Sequence, residues 1–315
     1  MSIRVERAGL LTTVQAGPRT GQRHLGVPAS GAADALALAL ANRLVGNPSF
    51  TPGLEVTLSG PLLVFEAPAV VALAGADCRL RQNGHDRPLH RAIRITPGDR
   101  LDIGESRRGA RACLAFAGGL EVPAVLGSRS TYLPASLGGF KGRALAAGDT
   151  LPLCEPSAVR DACDTPEPFR PPLTHAWALR ACPGAEADCL DEEQWTLLTG
   201  ANWIVGRRGD RMGIELVGPR IDIASSGRMP SAAVFPGTLQ CPESGVPFLL
   251  GIDAQTTGGY PRLLQVARSD RHLIGQLRPG DRLRFLLRTP EEATRDLRLK
   301  HAAWRRWLPD IDAIV

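Results

Sequence analysis

The densest run of chemically active residues lies between Asp253 and Pro261, directly after the apolar stretch FLLGI (248–252). It contains Asp253, Gln255, Thr256, Thr257, Gly258, Gly259 and Tyr260. The carboxylate could act as a base or an orienting group, the threonines as donors, and the glycine N–H groups as an anion site. A tight β-turn, in which Asp and Thr satisfy the backbone, explains the same pattern. Both interpretations stay open.

A second candidate group is GSRSTY (127–132), which holds three hydroxyl residues, Arg129 and Tyr132. The chain has two tyrosines, and Tyr132 and Tyr260 both fall in these hydroxyl-rich turns. Arginine offers a two-pronged grip on a carboxylate or a phosphate, so the group is suited to an anionic substrate. A surface loop is the alternative.

Three further positions are weaker candidates. His24 could serve as a general acid or base because its ordinary pKa lies near neutrality, or it could be a loop histidine with local partners. Asp77 ends the strand-like run AVVALAGAD (69–77), a place in the first half comparable with that of Asp253 in the second. The run DRMG (210–213) suits either a functional turn or a surface hairpin.

Several classes of protein are disfavoured. The chain lacks the G-x-S-x-G, H-E-x-x-H and G-x-G-x-x-G motifs of serine hydrolases, zinc proteases and dinucleotide-binding enzymes. Its two lysines, Lys141 and Lys300, follow no glycine, so there is no Walker A loop, and neither has the Met-Lys-Met setting of a biotin carrier. The seven cysteines form no C-x-x-C pair, and we predict no metal site. The net charge of +5 comes from scattered arginines, which does not favour nucleic-acid binding.

The sequence around these residues predicts short strands bounded by turns, and these secondary-structure elements would position the candidate side chains. ITPGDRLDI (95–103) recurs as LRPGDRLRF (277–285), and AGDTLPL (147–153) is a third, weaker copy. With 34 glycines and 26 prolines, the pattern predicts a mainly β protein made of barrels or sandwiches with a few short helices. Its 315 residues are enough for two domains.

We predict domains over 1–155 and 175–290, a proline-rich linker over 156–174, and a helical tail over 291–315. A helix over 33–45 should be capped by Ser30, with Asp34 in its first turn, and a second should run roughly from 185 to 198. The tail should pack on its own domain or on a partner. No run of about 18 apolar residues and no signal-peptide core is present, so we predict no membrane association and a cytoplasmic location.

Nine stretches of the chain carry a family resemblance across roughly residues 9–287. They are GLLTTVQ (9–15), HLGVPASGAAD (24–34), LANRLVGNP (40–48), LEVTLSGP (54–61), AGAD (74–77), AFAGGLEVPAVLGSRSTYL (115–133), GGFKGRAL (138–145), DRMG (210–213) and DAQTTGGYP (253–261). Together they resemble the allophanate hydrolase subunit 2 family, whose members include the C subunit of 5-oxoprolinase, the Kip antagonist and a portion of urea carboxylase.

The resemblance implies two cyclophilin-like β-barrel domains and two partners, a B-type 5-oxoprolinase component of the Kip-inhibitor family and an A-type component. Together such subunits hydrolyse 5-oxoproline, a small lactam, to glutamate at the expense of ATP with Mg²⁺. A lactam carbonyl is a poor electrophile, and phosphorylation of its oxygen would supply a leaving group. It also implies the candidate site residues His24, Asp77, Arg129, Ser130, Tyr132, Arg211, Gln240, Asp253, Gln255, Thr256, Thr257 and Tyr260.

The chain departs from the family pattern at two carboxylates. Ala16 follows Gln15 where the family usually has Gln-Asp, and Ala232 follows Ser231 where it often has Ser-Glu. Three functions are therefore compatible with the sequence. The first is a component of the ATP-dependent lactam hydrolase, inactive alone. The others are a carboxyltransferase module that needs a biotinylated partner, since no biotin is attached to this chain, and a non-catalytic regulator that binds a kinase inhibitor.

Overall fold

A computed structural model describes residues 1–155, 163–223 and 229–315. The fold is mostly β, with 36% of residues in strands and 19% in helices. This confirms the prediction of a mainly β protein with few helices. The predicted linker falls partly on residues 156–162, which lie outside the described residues.

The chain forms two compact units that are not simple halves of the sequence. The first unit consists of Met1–Thr20, Ser30–Leu173 and Trp304–Ile314. The second consists of Gly21–Ala29 and Thr174–Ala303, together with Val315. The nine residues Gly21–Ala29 therefore contribute to the second unit although the chain on both sides of them contributes to the first.

The first unit is built on a curled nine-stranded sheet. Its strands are β1 (Ser2–Arg7), β2 (Leu11–Gln15), β3 (Gly53–Thr57), β4 (Leu62–Phe65), β5 (Ala69–Gln82), β6 (His85–Asp86), β7 (Ile93–Ile95), β8 (Arg100–Phe116) and β9 (Thr150–Pro152). The order β2-β3-β8-β4-β1-β9 is antiparallel, and the long strand β5 pairs with β6, β7 and β8. Alternate residues such as Ile3, Val5, Leu63 and Phe65 are fully buried and form the core inside the curl.

Helix α1 (Ala35–Leu44) packs against β5 and β8. The predicted cap was wrong, because the side chain of Asp34 caps the helix by accepting a hydrogen bond from Ala37 N at 2.9 Å. Ser30 lies four residues before that cap, in a left-handed conformation with φ 53°. Leu36 and Leu40 are buried, as their spacing predicts.

The second unit is a closed barrel of seven strands in the order β10-β17-β14-β15-β12-β11-β18. Its strands are β10 (Ala176–Pro183), β11 (Trp203–Gly209), β12 (Gly213–Val217), β14 (Thr238–Gln240), β15 (Phe248–Leu250), β17 (Arg262–Val266) and β18 (Arg282–Leu287). The remaining strands, β13 (Ala232–Ala233) and β16 (Thr257–Gly258), pair with each other as a separate two-stranded ribbon.

The helices of the second half are shorter than predicted. Helix α2 (Glu192–Gly200) begins only after Asp191, whose side chain accepts from Gln194 N at 2.8 Å. The preceding residues form a 3-10 turn at Ala187–Cys189. The tail is helical as α3 (Pro290–Trp304) and α4 (Ile311–Ile314). No helix of the described residues is long and apolar enough to cross a membrane.

The end of the tail packs within the first unit. The Trp307 ring stacks on Phe169 with a centroid distance of 6.1 Å, and Trp304 meets the same ring edge-on at 5.5 Å. The Arg43 guanidinium of α1 lies 4.5 Å from the centre of the Trp307 ring. The tail tryptophans are thus engaged by intramolecular aromatic and cation–π contacts.

The three Gly-Asp turns have the same geometry. In each, the aspartate side chain accepts from the backbone N–H three residues earlier, at 2.8 Å for Asp99, 2.7 Å for Asp149 and 3.1 Å for Asp281. Each preceding glycine has a φ near 90°, which favours glycine there. The glycine N–H and the aspartate carbonyl then form a pair of hydrogen bonds with one strand residue, which is Phe65, Val5 and Val205, respectively. The sequence repeat therefore corresponds to a structural repeat.

Candidate functional site

A cleft of about 370 Å³ opens on the barrel of the second unit. It is lined by Asp210, Met212, Gly213, Gln240, Pro242, Phe248, Leu250, Gln255 and Tyr260. Strands β12, β14 and β15 supply the rigid part of this lining, and the turn after β15 supplies Gln255 and Tyr260. The lining is largely apolar with a few polar groups, which is typical of a small-molecule site.

The two glutamines of the cleft are ordered by a short chain of hydrogen bonds. Gln255 Nε2 donates to Gln240 Oε1 at 3.3 Å, and Gln240 Nε2 donates to the Tyr260 carbonyl at 3.4 Å. Gln240 is buried, whereas the Tyr260 ring is 52% exposed. Because Gln255 uses its NH₂ group in this chain of bonds, its carbonyl oxygen is the acceptor that it offers to a ligand. The structure thus brings together three of the predicted site residues.

Arg211 and Asp253 form a buried ion pair and are not among the residues that line the cleft. Arg211 Nε donates to Asp253 Oδ2 at 2.7 Å and Nη2 to Oδ1 at 3.3 Å, and both side chains are at most 4% exposed. The backbone N–H of Asp253 also donates to the Arg211 carbonyl at 2.9 Å. The pair joins the DRMG turn to the start of the 253–261 turn, which fixes the cleft wall that both supply.

Thr257 and Gly258 of the same turn form one strand of the β13–β16 ribbon. The Thr256 carbonyl accepts from Val234 N at 3.1 Å, exposed Thr257 pairs with Ala233, and half-buried Gly258 pairs with Ala232. A Cβ on Gly258 would lie 2.5 Å from Gln240 Nε2, so this glycine leaves room for the ordered amide. One on Gly259 would meet the Met229 carbonyl at 3.3 Å.

Neither His24 nor Asp77 is among the residues that line the cleft. His24 is exposed on the 3-10 turn Arg23–Leu25 of the second unit. Asp77 lies in β5 of the first unit, beside a register shift, and its carboxylate is 3.7 Å from the Arg108 guanidinium at the surface. Asp77 is therefore in the middle of a strand, whereas Asp253 follows one.

The hydroxyls of the GSRSTY loop hold the first unit together. Ser130 Oγ accepts from Ala16 N at 2.9 Å and donates to Gly17 O at 3.0 Å, while Thr131 Oγ1 donates to Val14 O at 2.8 Å. Tyr132 forms two backbone hydrogen bonds with Leu137. These contacts stabilise the loop.

Arg129 is the exposed member of this loop. Its Nε donates to the Val122 carbonyl at 3.0 Å. The guanidinium therefore lies at the surface with one edge held by the backbone, which suits a group that is to grip an anion.

Two groups of residues were missed at the sequence level. Pro242, Phe248 and Leu250 line the cleft without having been predicted, whereas Asp210 and Met212, which also line it, belong to the DRMG run named above as a weaker candidate. In the first unit, fully buried Arg19 donates to the carbonyls of Val125 and Ser130 at 3.1 and 2.9 Å. Nothing in the sequence spacing indicates a contact between positions so far apart in the chain.

The cysteines nearest to candidate residues are unsuited to nucleophilic chemistry. Burial, with smaller effects from Asp77 and Cys189, respectively, raises the pKa of Cys78 and of Cys241 to about 12. Both thiols are therefore neutral at physiological pH, and a neutral thiol is a poor nucleophile. Within the described residues, no group of three or more His, Cys, Asp or Glu side chains could hold a metal ion.

Comparison with known proteins places this geometry in a family. A model of the "Carboxyltransferase domain, subdomain A and B" matches residues 25–287. The chain is 35% identical to the C subunit of 5-oxoprolinase from Escherichia coli, over 92% of this chain and 93% of that protein. It is 32% identical to the corresponding C subunit from Haemophilus influenzae, with 90% of each chain covered.

The solved urea amidolyase of K. lactis superimposes with a TM-score of 0.90 and 30% identity over 96% of this chain. The chain spans only 20% of that protein. The family match over most of the sequence, the similarity to the two 5-oxoprolinase components and the shared fold agree. The chain therefore belongs to the family of carboxyltransferase domains with subdomains A and B.

Proposed function

We propose that this chain is the C subunit of a cytoplasmic, ATP-dependent 5-oxoprolinase that opens the lactam of 5-oxoproline to glutamate together with A-type and B-type components. The observation that carries the proposal is the ordered amide pair of Gln240 and Gln255 in the cleft. The names of the similar 5-oxoprolinase components support it.

The amide pair suits a cyclic amide in its hydrogen-bonding groups. A lactam presents an N–H donor and a C=O acceptor on neighbouring atoms, and the Gln255 carbonyl oxygen can accept from the N–H. Phe248 and Leu250 supply an apolar surface for the ring methylenes. In this proposal the chain binds and orients the lactam. The ligand carboxylate is held by a cation outside the cleft lining, because none of the nine lining residues is Arg or Lys.

The same lining does not suit a nucleoside triphosphate. Its charged member is Asp210, whose carboxylate accepts from Met212 N at 2.7 Å and would repel phosphate. None of the described residues that line the cleft has a cationic side chain of the kind that binds a triphosphate in phosphoryl-transfer sites. We therefore assign ATP and Mg²⁺ to the complex and not to this cleft, and we derive no step of the reaction through them.

A second candidate function is a carboxyltransferase module for urea or another small amide. The observation that favours it is the TM-score of 0.90 with K. lactis urea amidolyase over 96% of the chain. Urea also presents neighbouring N–H and C=O groups, so the amide pair suits it as well. This function requires a biotinylated partner.

The two candidates are separated by reconstitution with the A-type and B-type components. The proposal predicts glutamate and ADP from 5-oxoproline and ATP, and loss of both products when this chain is omitted. Carboxylation of urea by carboxybiotin, without glutamate formation, would favour the second candidate. Glutamate formation that does not depend on this chain would contradict the proposal.

A further inference from the structure

The short segment Gly21–Ala29 makes a defined contact with the rest of the second unit through Arg23. The Arg23 guanidinium donates from Nη2 to the Val234 carbonyl and lies 4.7 Å from the centre of the Phe235 ring. Val234 is fully buried and packs with Leu250 and Ala254. Arg23 therefore combines a charge-assisted hydrogen bond with a cation–π contact at one point of the barrel surface.

That point is the end of the ribbon that carries Thr257. The Ala233 carbonyl accepts from Arg262 Nη1 at 2.8 Å, and Val234 N donates to Thr256 O at 3.1 Å. The Val234 carbonyl then accepts from Arg23. The Ala233 carbonyl, the Val234 N–H and the Val234 carbonyl are thus each hydrogen-bonded to a different residue.

The ribbon needs these contacts because it is too short to hold its own position. It consists of two residue pairs, Ala232 with Gly258 and Ala233 with Thr257, and forms a sheet of its own, separate from the strand ladder of the barrel. An isolated two-stranded ribbon is at best marginally stable in water. Gly258 in turn lies beside the Gln240 amide of the cleft, since a Cβ built on this glycine would be 2.5 Å from Gln240 Nε2. A shift of the ribbon would therefore move both Thr257 and the cleft wall.

We propose that Arg23 is a positioning residue that holds the β13–β16 ribbon, and with it Thr257 and the Gln240 amide, in the geometry that the cleft uses. Its effect on turnover rests on the function proposed above, whereas its effect on the ribbon does not. Arg23 is not among the nine residues that line the cleft.

The structural part is tested by hydrogen–deuterium exchange on the full chain. Arg23→Ala should raise exchange in peptides covering 229–235 and 256–259 and leave the β10 and β18 strands unchanged. Arg23→Lys, which keeps a donor for the Val234 carbonyl, should restore most of the protection. Phe235→Leu, which keeps the hydrogen bond, should have a smaller effect. The matched control is Arg207→Ala, an exposed arginine of β11 in the same barrel.

The functional part is tested with the same variants in the reconstituted complex. Arg23→Ala should lower kcat for 5-oxoproline by roughly 10- to 100-fold, the scale expected for a small misplacement of a reacting group, and Arg23→Lys should recover most of it. Unchanged exchange of the ribbon in Arg23→Ala would overturn the proposal whatever the activity. Loosening of the ribbon with unchanged kcat would overturn its role in turnover. An inactive wild-type complex would instead contradict the proposed function, and the exchange data would still decide whether Arg23 holds the ribbon.

Discussion

The Asp253 carboxylate and the Arg211 guanidinium form a buried bidentate ion pair across 42 residues of sequence. The pair matches two opposite charges that are both removed from water, so it tethers the 253–261 turn to the DRMG turn. In this arrangement the Asp253 carboxylate accepts both hydrogen bonds from Arg211, and its contribution is to hold the cleft wall in place.

Breaking this pair should destabilise the second unit. We expect Asp253→Asn to lower the free energy of unfolding by about 3–5 kcal/mol, because it leaves the Arg211 charge buried without its counter-charge. Urea unfolding, followed by amide exchange of β12 and β15, measures this loss. The double variant Arg211→Met with Asp253→Leu should recover most of the stability, and a single variant as stable as the wild type would refute the tether.

The Asp99 turn should make the first unit sensitive to acid. Burial disfavours the charged carboxylate, but the hydrogen bonds from Thr96 N, Asn83 and Gln82 outweigh it and lower the pKa of Asp99 to about 2. An unfolded aspartate has a pKa of about 3.9. The stabilisation is therefore complete above about pH 4 and is lost as the pH falls from there through about 2.

Asp99→Asn directly tests the predicted loss of stability at low pH. At pH 7 we expect a loss of about 2 kcal/mol in the free energy of unfolding, the scale for hydrogen bonds to a charged group, and a much smaller difference near pH 2. The control is Asp102→Asn in β8, the strand that follows this turn, whose carboxylate pairs with Arg7 at the surface and should matter little. If the wild type and Asp99→Asn differed in free energy of unfolding by the same amount at pH 7 and near pH 2, the lowered pKa of Asp99 would be contradicted.

Gly258 offers a way to disturb the amide pair without removing a glutamine. Gly258 has no positive φ, so alanine is tolerated by the backbone, but its Cβ would displace the Gln240 amide that lies 2.5 Å away. We expect Gly258→Ala to raise KM for the amide substrate by about 3- to 10-fold, the scale for one hydrogen bond, with little change in melting temperature. Gly259→Ala, whose Cβ meets no part of Gln240, should stay near the wild type.

Much of the β architecture could be predicted from local pattern, because strand alternation and turn chemistry are properties of neighbouring residues. The recurrence of Gly-Asp predicted equivalent turns at Asp99 and Asp281, and the hydrogen bonds show them. The cap of α1 was misassigned to Ser30, since Ser and Asp are both good caps and only the backbone geometry distinguishes them.

The candidate site could be predicted only in part. The turn after β15 was identified from its residue types, but the contact from Arg23 to Val234 spans 211 residues and has no local signature. Likewise, the hydroxyls of Ser130 and Thr131 suggested chemistry, whereas they donate to carbonyls near β2 that the sequence does not place beside them.

The isolated chain should be inactive. It has no Walker A motif, and the polar side chains among the described residues that line the cleft are a carboxylate, two amides and a phenol, with no Arg or Lys. We therefore expect no ADP formation above background when the purified chain is incubated with ATP, Mg²⁺ and 5-oxoproline. Activity should appear only when the A-type and B-type components are added. Robust ADP formation by the chain alone would place a nucleotide site within it and contradict this account.

The central claim is that the Gln240–Gln255 cleft binds the cyclic amide, and steady-state kinetics of Gln255→Leu in the assembled complex test it most directly. Gln255→Leu removes the acceptor for the lactam N–H, so we expect kcat/KM for 5-oxoproline to fall by about 10- to 100-fold while assembly and melting temperature stay unchanged. Gln194→Leu on α2, which removes an amide of the same unit outside the cleft, is the control and should stay within about twofold of the wild type. Wild-type kcat/KM in Gln255→Leu, with assembly verified, would show that the substrate binds elsewhere.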